Sequence, residues 1–179
     1  MNQHEIIQFW FDPNTEQHWF SGDQQFDEQL RHRFTKTLQQ ARQGELWAWR
    51  DSIEGRLAEI LVLDQFSRNI FRGTPNAFAQ DPQALVLAQE AIRLGLDQEL
   101  EPRKRTFLYM PFMHSESKTI HEQALALFQQ LKQEIALEFE IKHKVIIDRF
   151  GRYPHRNQIL GRTSTDEELV FLTQPDSHF

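Results

Sequence analysis

Phe26, Leu30, Phe34 and Leu38 stand at every fourth position, Ala41 extends the series and Gly44 closes it. That spacing puts the side chains on one face of an α-helix, and a strand cannot produce it. Asp23, just ahead, has a side chain suited to accept from the open N–H groups of a first turn. A long helix with one apolar stripe is therefore expected from Asp23 to Gly44. No stretch alternates apolar and polar residues over strand length, so the chain must be built from helices stacked through such stripes.

The remaining segments repeat the pattern. Glu5–Phe11 is a dense apolar cluster stopped at Asp12-Pro13, since the residue before a proline leaves the α region. Trp10 and Trp19 are expected to close the core above it. Ile53–Ile70 places Leu57, Ile60, Leu61, Asp64 and Arg68 on one face; an acid and a base one turn apart on an apolar face must pair or serve a pocket. Asp81-Pro82 reads as an N-cap followed by proline at the first helical position, with Leu85, Ala88 and Ile92 turned inward. Further helices are expected over Arg103–Met113, Ser117–Ile135 and Phe139–Phe150, the last packing Phe139, Ile146, Ile147 and Phe150. Thr165-Asp166-Glu167-Glu168 has the form of a capping box opening a short terminal helix. The expected fold is all-α, one domain over residues 1–179 with seven or eight helices.

Composition narrows the function classes. With no cysteine there is no disulfide, thiolate metal site or thiol nucleophile. The N-terminus lacks a basic start and a long apolar core, and no apolar run approaches the ~20 residues of a membrane span. A cytoplasmic protein without membrane attachment is expected. Its formal charge of −6 argues against nucleic acid as a partner. The charge is uneven: Lys142, Lys144, Arg149, Arg152, Arg156 and Arg162 face Asp148 alone, a net of +5 that leaves −11 on the rest of the chain. A basic island on an acidic body suits a small anion better than a polyanion track.

The island's four arginines lie in Val145–Arg162, where an apolar run ends in Gly151 and Pro154 and cations follow on ordered backbone. Its wording repeats an earlier one. Leu63-Asp64-Gln65-Phe66-Ser67-Arg68 continues to Arg72, and Ile147-Asp148-Arg149-Phe150-Gly151-Arg152 continues to Arg156. Two comparable corners are expected, in which an aromatic locks a helix end and two arginines project past it. If both face one cavity, Arg68, Arg72, Arg152 and Arg156 converge, with Asp64, Asp148 and Glu116 as counter-charges. The candidate binding set is Asp64, Arg68, Arg72, Arg149, Arg152, Arg156, Asn157 and Arg162.

Several phrases together resemble one family. F-W-F near the N-terminus, L-D-Q-F-S-R-N-I-F-R-G-T, M-P-F-M-H-S-E, R-F-G-R-Y-P-H-R-N and L-G-R-T-S-T with a following acidic pair run in order along nearly the whole chain. They resemble the bacterial domain of unknown function 924 family. The resemblance implies a helical fold related to tetratricopeptide repeats, a right-handed superhelix of α-hairpins, and carries no activity with it. The tetratricopeptide consensus itself is not visible here, so peptide binding does not follow.

Among reaction types, acid–base chemistry fits best. His114 and His155 are the candidate titrating groups, with Glu116 or Asp64 to orient one of them and arginines to hold an anion. The spacing His114-x-Glu116-x-x-x-x-His121 does not place two imidazoles on one helix face, so no metal is expected. Ser115 lies between His114 and Glu116 without a nucleophile elbow, and Ser115 or Ser117 reads as the cap of the following helix. No glycine-rich phosphate loop is present and no cofactor is expected. The first functional reading is a binder of a small anionic molecule, able to turn it over by acid–base chemistry. The alternative is a protein-interaction module whose arginines form a structural ion-pair network.

Overall fold

The structure, a computed structural model, describes residues 1–175 and Ser177. Among these residues it is all-helical, with no strand. The chain divides into two compact units, Met1–Pro111 and a second beginning at Phe112. No helix among the described residues is long and apolar enough to cross a membrane.

In the first unit, α1 (Gln3–Trp10) and α2 (Pro13–Glu16) start on the side chains of Asn2 and Asp12. The long α3 (Gln24–Arg42) starts on Asp23, whose carboxylate accepts from Gln25 N–H at 2.8 Å. Its stripe is buried as the spacing requires: Leu30, Phe34 and Ala41 are fully enclosed and Leu38 nearly so. Each such leucine or phenylalanine contributes about 1.5–3 kcal/mol. Trp10 is also fully buried, stacked 5.7 Å from Trp19 and edge-on to Phe107. Trp19 donates its indole N–H to the Trp10 carbonyl at 2.9 Å, which pins the two rings together over the core.

Helix α4 (Ile53–Leu61) runs without a break into a π-helical turn, Val62–Phe66, and then α5 (Ser67–Ile70). The expected limits are met, but the wide turn was invisible to spacing alone. It holds buried Asp64 and Gln65, and π turns often accompany sites with special side-chain demands.

Two expectations change in the next helix, α6 (Asp81–Arg93). Asp81 is the first helical residue, with Gln80 at the cap. Its two oxygens are held by Arg68 at 2.8 and 2.9 Å. The buried stripe is Ala84, Leu87, Ala88 and Ala91, while Leu85 and Ile92 are half-buried. Small side chains let α6 lie close against α4, which rotates the larger aliphatics toward the edge.

The boundary between the units falls inside α7 (Pro102–Met113) after Pro111. In the second unit α8 (Lys118–Leu131) and α9 (Glu134–Phe150) pack together as a helical hairpin. Lys132 makes the turn in the left-handed region at φ +55°, and α9 begins five residues earlier than the apolar pattern implied. This hairpin is compatible with the superhelical architecture that the resemblance implies. A short α10 (Asp166–Phe171) opens on the capping box of Thr165 and Glu168. Ile146, Ile147, Tyr153 and Phe171 form the small apolar core here, with Phe150 against it. Phe139 is not in it: it is 46% exposed, and the buried face of α9 instead carries Glu140 and His143.

One glycine shows how close the first unit is packed. A Cβ on Gly55 would lie 1.9 Å from the Trp49 carbonyl oxygen. Alanine for glycine inside a helix ordinarily stabilises by up to ~1 kcal/mol. Here Gly55→Ala is expected to reverse that sign and destabilise by about 1–3 kcal/mol, checked by urea unfolding.

Candidate functional site

The second unit assembles most of the candidate residues, beginning where α9 ends. Gly151 takes the left-handed conformation (φ +72°) and its N–H caps Ile147 O, so the chain turns sharply off the helix. Pro154 then opens a single 3₁₀ turn, Pro154–Arg156, with Arg156 N–H on Tyr153 O. Asn157 O accepts the Arg162 N–H at 2.8 Å and closes the loop. The polar side chains therefore stand on fixed backbone.

Glu116 organises this loop. Its carboxylate accepts Tyr153 N–H at 2.7 Å and both terminal nitrogens of Arg162 at 2.6 and 2.9 Å. Burial alone raises the carboxyl, but the hydrogen bonds from Arg162 and Tyr153 and the charge of Arg156 outweigh it, and the net shift is downward. Arg162 also donates to Asn157 Oδ1 at 3.0 Å and to Tyr153 O at 3.2 Å. Arg152 grips Glu168 through two bonds of 2.6 and 2.8 Å and reaches Thr163 O. Glu168 is pulled down to about 2, first by Arg152, against burial, with help from Thr165 N–H and Asn157. Arg149 bonds Glu167 at 2.8 Å and lies over the Phe150 and Phe171 rings.

Arg156 is placed differently. Its guanidinium sits 4.4 Å from the centre of the Tyr153 ring and the residue is only 6% exposed. Around the same ring lie three imidazoles: His155 at 5.6 Å, His143 at 5.7 Å and His121 at 6.3 Å, with His114 6.5 Å beyond His143. Burial pushes His143 down to about 3, and nearby His114, His121 and Arg156 add to that; its Nδ1–H donates to Phe139 O at 2.7 Å. His114 and His155 are half-buried. Among the described residues no group of three His, Asp or Glu side chains is placed to hold a metal ion.

The first unit holds the other corner. Asp64 is fully buried and accepts Arg68 Nη1 at 3.1 Å and the Gln65 amide at 2.6 Å, while Arg68 also spans Asp81. Arg72 pairs with Asp27 at 2.5 and 3.0 Å, and Asn69 joins at 2.8 Å. Asp27 is raised by burial but lowered more by Arg72 and Asn69. The two corners that share a sequence phrase are unlike locally. Asp64 is buried inside a continuous helix, whereas Asp148 is exposed and pairs with Lys144 at 2.7 Å. The repeat fails because its second copy ends on Gly151 and its first continues through the π turn.

Apolar spacing does not pick out His143 or Glu140, and His121 stands in the sequence only as a rejected metal ligand. A usable signal existed. Glu140, His143 and Ile147 lie three and four apart, so polar groups share a helix face with a core residue. Glu59, fully buried and held twice by Arg50 at 2.7 Å, follows the same rule with Val62 and Leu63, three and four residues on.

The depressed Glu168 carboxyl gives a pH signature. Because its folded value lies below its ordinary 4.5, its pairing adds stability above that pH and loses it as pH falls through about 2. Melting curves should show a gap between the parent and Glu168→Gln that is widest near neutral pH and narrows through the acid range. A gap independent of pH would refute the pairing as its source.

With this geometry in place, comparisons with known proteins identify the chain's relatives. A family described as bacterial protein of unknown function, DUF924, matches residues 6–176. A solved structure of a protein of unknown function from Agrobacterium tumefaciens is 41% identical over 95% of this chain and 96% of its own, with a TM-score of 0.88. No curated protein matches the sequence. The match runs from within α1 through α10 and takes in both arginine corners, and the chain belongs to the bacterial DUF924 family.

Proposed function

We propose that the protein works in the cytoplasm as a binder of a small anionic molecule, at a site in its second unit centred on Tyr153. Arg156 supplies the positive charge, His114 and His155 supply titrating groups, and Asn157 is part of the wall. Arg149, Arg152 and Arg162 form the frame, each gripping a carboxylate that fixes its direction. The observation that carries this reading is the density of ionisable groups around one ring: four imidazoles within two contacts of Tyr153 and a guanidinium on its face. Ionisable groups packed together in this way favour binding and acid–base chemistry over simple packing. The anion class follows from Arg156 and from the basic island as a whole.

Titration with phosphorylated metabolites, nucleotides and carboxylates, followed by melting temperature and by the imidazole NMR signals of His114 and His155, tests it. At least one anion should raise the melting temperature of the parent and shift both histidines, and do neither in Arg156→Gln. If no anion stabilises the parent more than that variant, the reading fails.

A second reading is supported by the carboxylates themselves. Arg68, Arg72, Arg152 and Arg162 each have both arms of the guanidinium or two of its nitrogens on acids. Such forks hold helix ends in register, and a protein-interaction module would need no more of them. On this reading Asp64, Arg68 and Arg72 are structural. Arg68→Met, which strands Asp64 and Asp81, should then cost about 3–5 kcal/mol in urea unfolding and leave the response to anions unchanged.

A further inference from the structure

Glu140 and His121 are fully buried, and neither is among the groups assigned above to hold the anion. His121 Nε2 lies 2.9 Å from Ser115 O and 3.1 Å from Tyr153 Oη. A carbonyl oxygen can only accept, so Nε2 carries a hydrogen. The Tyr153 hydroxyl donates to Met113 O at 2.5 Å, which leaves an oxygen lone pair turned toward that Nε2–H. On the other side of the ring, Nδ1 lies 2.8 Å from Glu140 Oε1, and one proton lies between them. The second oxygen, Oε2, has no hydrogen-bond partner among the described residues. A carboxylate with a bare oxygen in a dry interior is costly, whereas a carboxylic acid there needs no second donor. Lys144 and Asp148, the charged groups that act on Glu140 from its own helix, are paired with each other at 2.7 Å and largely cancel.

We infer that Glu140 holds the shared proton as a neutral carboxylic acid, donates it to His121 Nδ1, and so locks the Nε2–H tautomer that positions Tyr153 from behind. Burial raises the Glu140 carboxyl, in agreement. The chain of hydrogen bonds runs from Glu140 through His121 to the Tyr153 hydroxyl, and the same ring bears Arg156 on its face. Glu140 and His121 are positioning residues for the anion site proposed above; that step rests on the anion reading, whereas the proton assignment does not.

The neutral acid and a glutamine amide both present a donor to Nδ1, and this makes the inference testable in the full chain. Imidazole ¹⁵N NMR of the parent should show His121 protonated at Nε2 alone, and Glu140→Gln should keep that pattern together with the parent's Tyr153 ring signals. Glu140→Leu, which removes the donor, should displace the Tyr153 signals. An infrared band of a protonated carboxylic acid should be present in the parent and lost in Glu140→Gln. His121 protonated at both nitrogens in the parent, or Tyr153 signals unmoved in Glu140→Leu, would overturn the inference. Orthophosphate and acetate titrations of the same samples separate the two claims. Failure of these two anions and of the wider panel above to shift His114 and His155, with the spectra as expected, sinks the anion reading and leaves the dyad standing.

Discussion

One carboxylate does the most to shape the second unit. Glu116 accepts three hydrogen bonds, one from the backbone of Tyr153 and two from Arg162, and thereby ties the segment ahead of α8 to both ends of the loop after α9. The loop contains two glycines in the left-handed region, Gly151 and Gly161, and little apolar surface of its own. Without a half-buried acid to receive its donors it would be left with unpaired polar groups. With Glu116 in place, Tyr153 is seated in the core, Asn157 bridges Arg162 and Glu168, and Arg156 comes to rest on an aromatic face.

This arrangement changes the meaning of the basic island. Counted along the chain, residues 142–162 carry a strong positive excess. In space the balancing acids come from outside that window: Glu116 precedes α8, and Glu167 and Glu168 open α10. Compensation between segments distant in sequence is invisible to a linear count. What the fold gathers around Tyr153 is four imidazoles and the Arg156 guanidinium, with the Glu140 carboxyl 2.8 Å from His121. That is a setting in which small charges are held in fixed directions, the condition under which protein dipoles act most strongly on a bound ion.

The elements that were legible in the sequence are those governed by local rules. The α3 stripe, the Asp23 cap, the Thr165–Glu168 box and the end of α9 at Gly151 follow from spacing and backbone preference. Asp81 and Phe139 were misread because tertiary contacts decided them. Asp81 has the chemistry of a cap, but an arginine one helix away takes its oxygens. Phe139 has the chemistry of a core residue, but Glu140 and His143 occupy the inward face because a buried hydrogen-bond network needs them there. Apolar patterning ranks residues by their cost in water; it has no means of scoring a polar side chain whose partner lies on another helix. The same blindness separated the candidate residues from Tyr153, the ring around which several of them are arranged.

The π turn at Val62–Phe66 has a consequence for how this helix tolerates change. A helix advances by 100° per residue, so one residue more in a turn shifts the phase of everything after it by about that angle. In Ile53–Ile70 the first half presents one face to α1 and α6, and the second half, after the wide turn, addresses α3. The extra residue therefore acts as a gear between two packing surfaces on one continuous rod. Loss of a single residue there would leave every side chain chemically intact and still turn Asn69 and Arg72 away from Asp27.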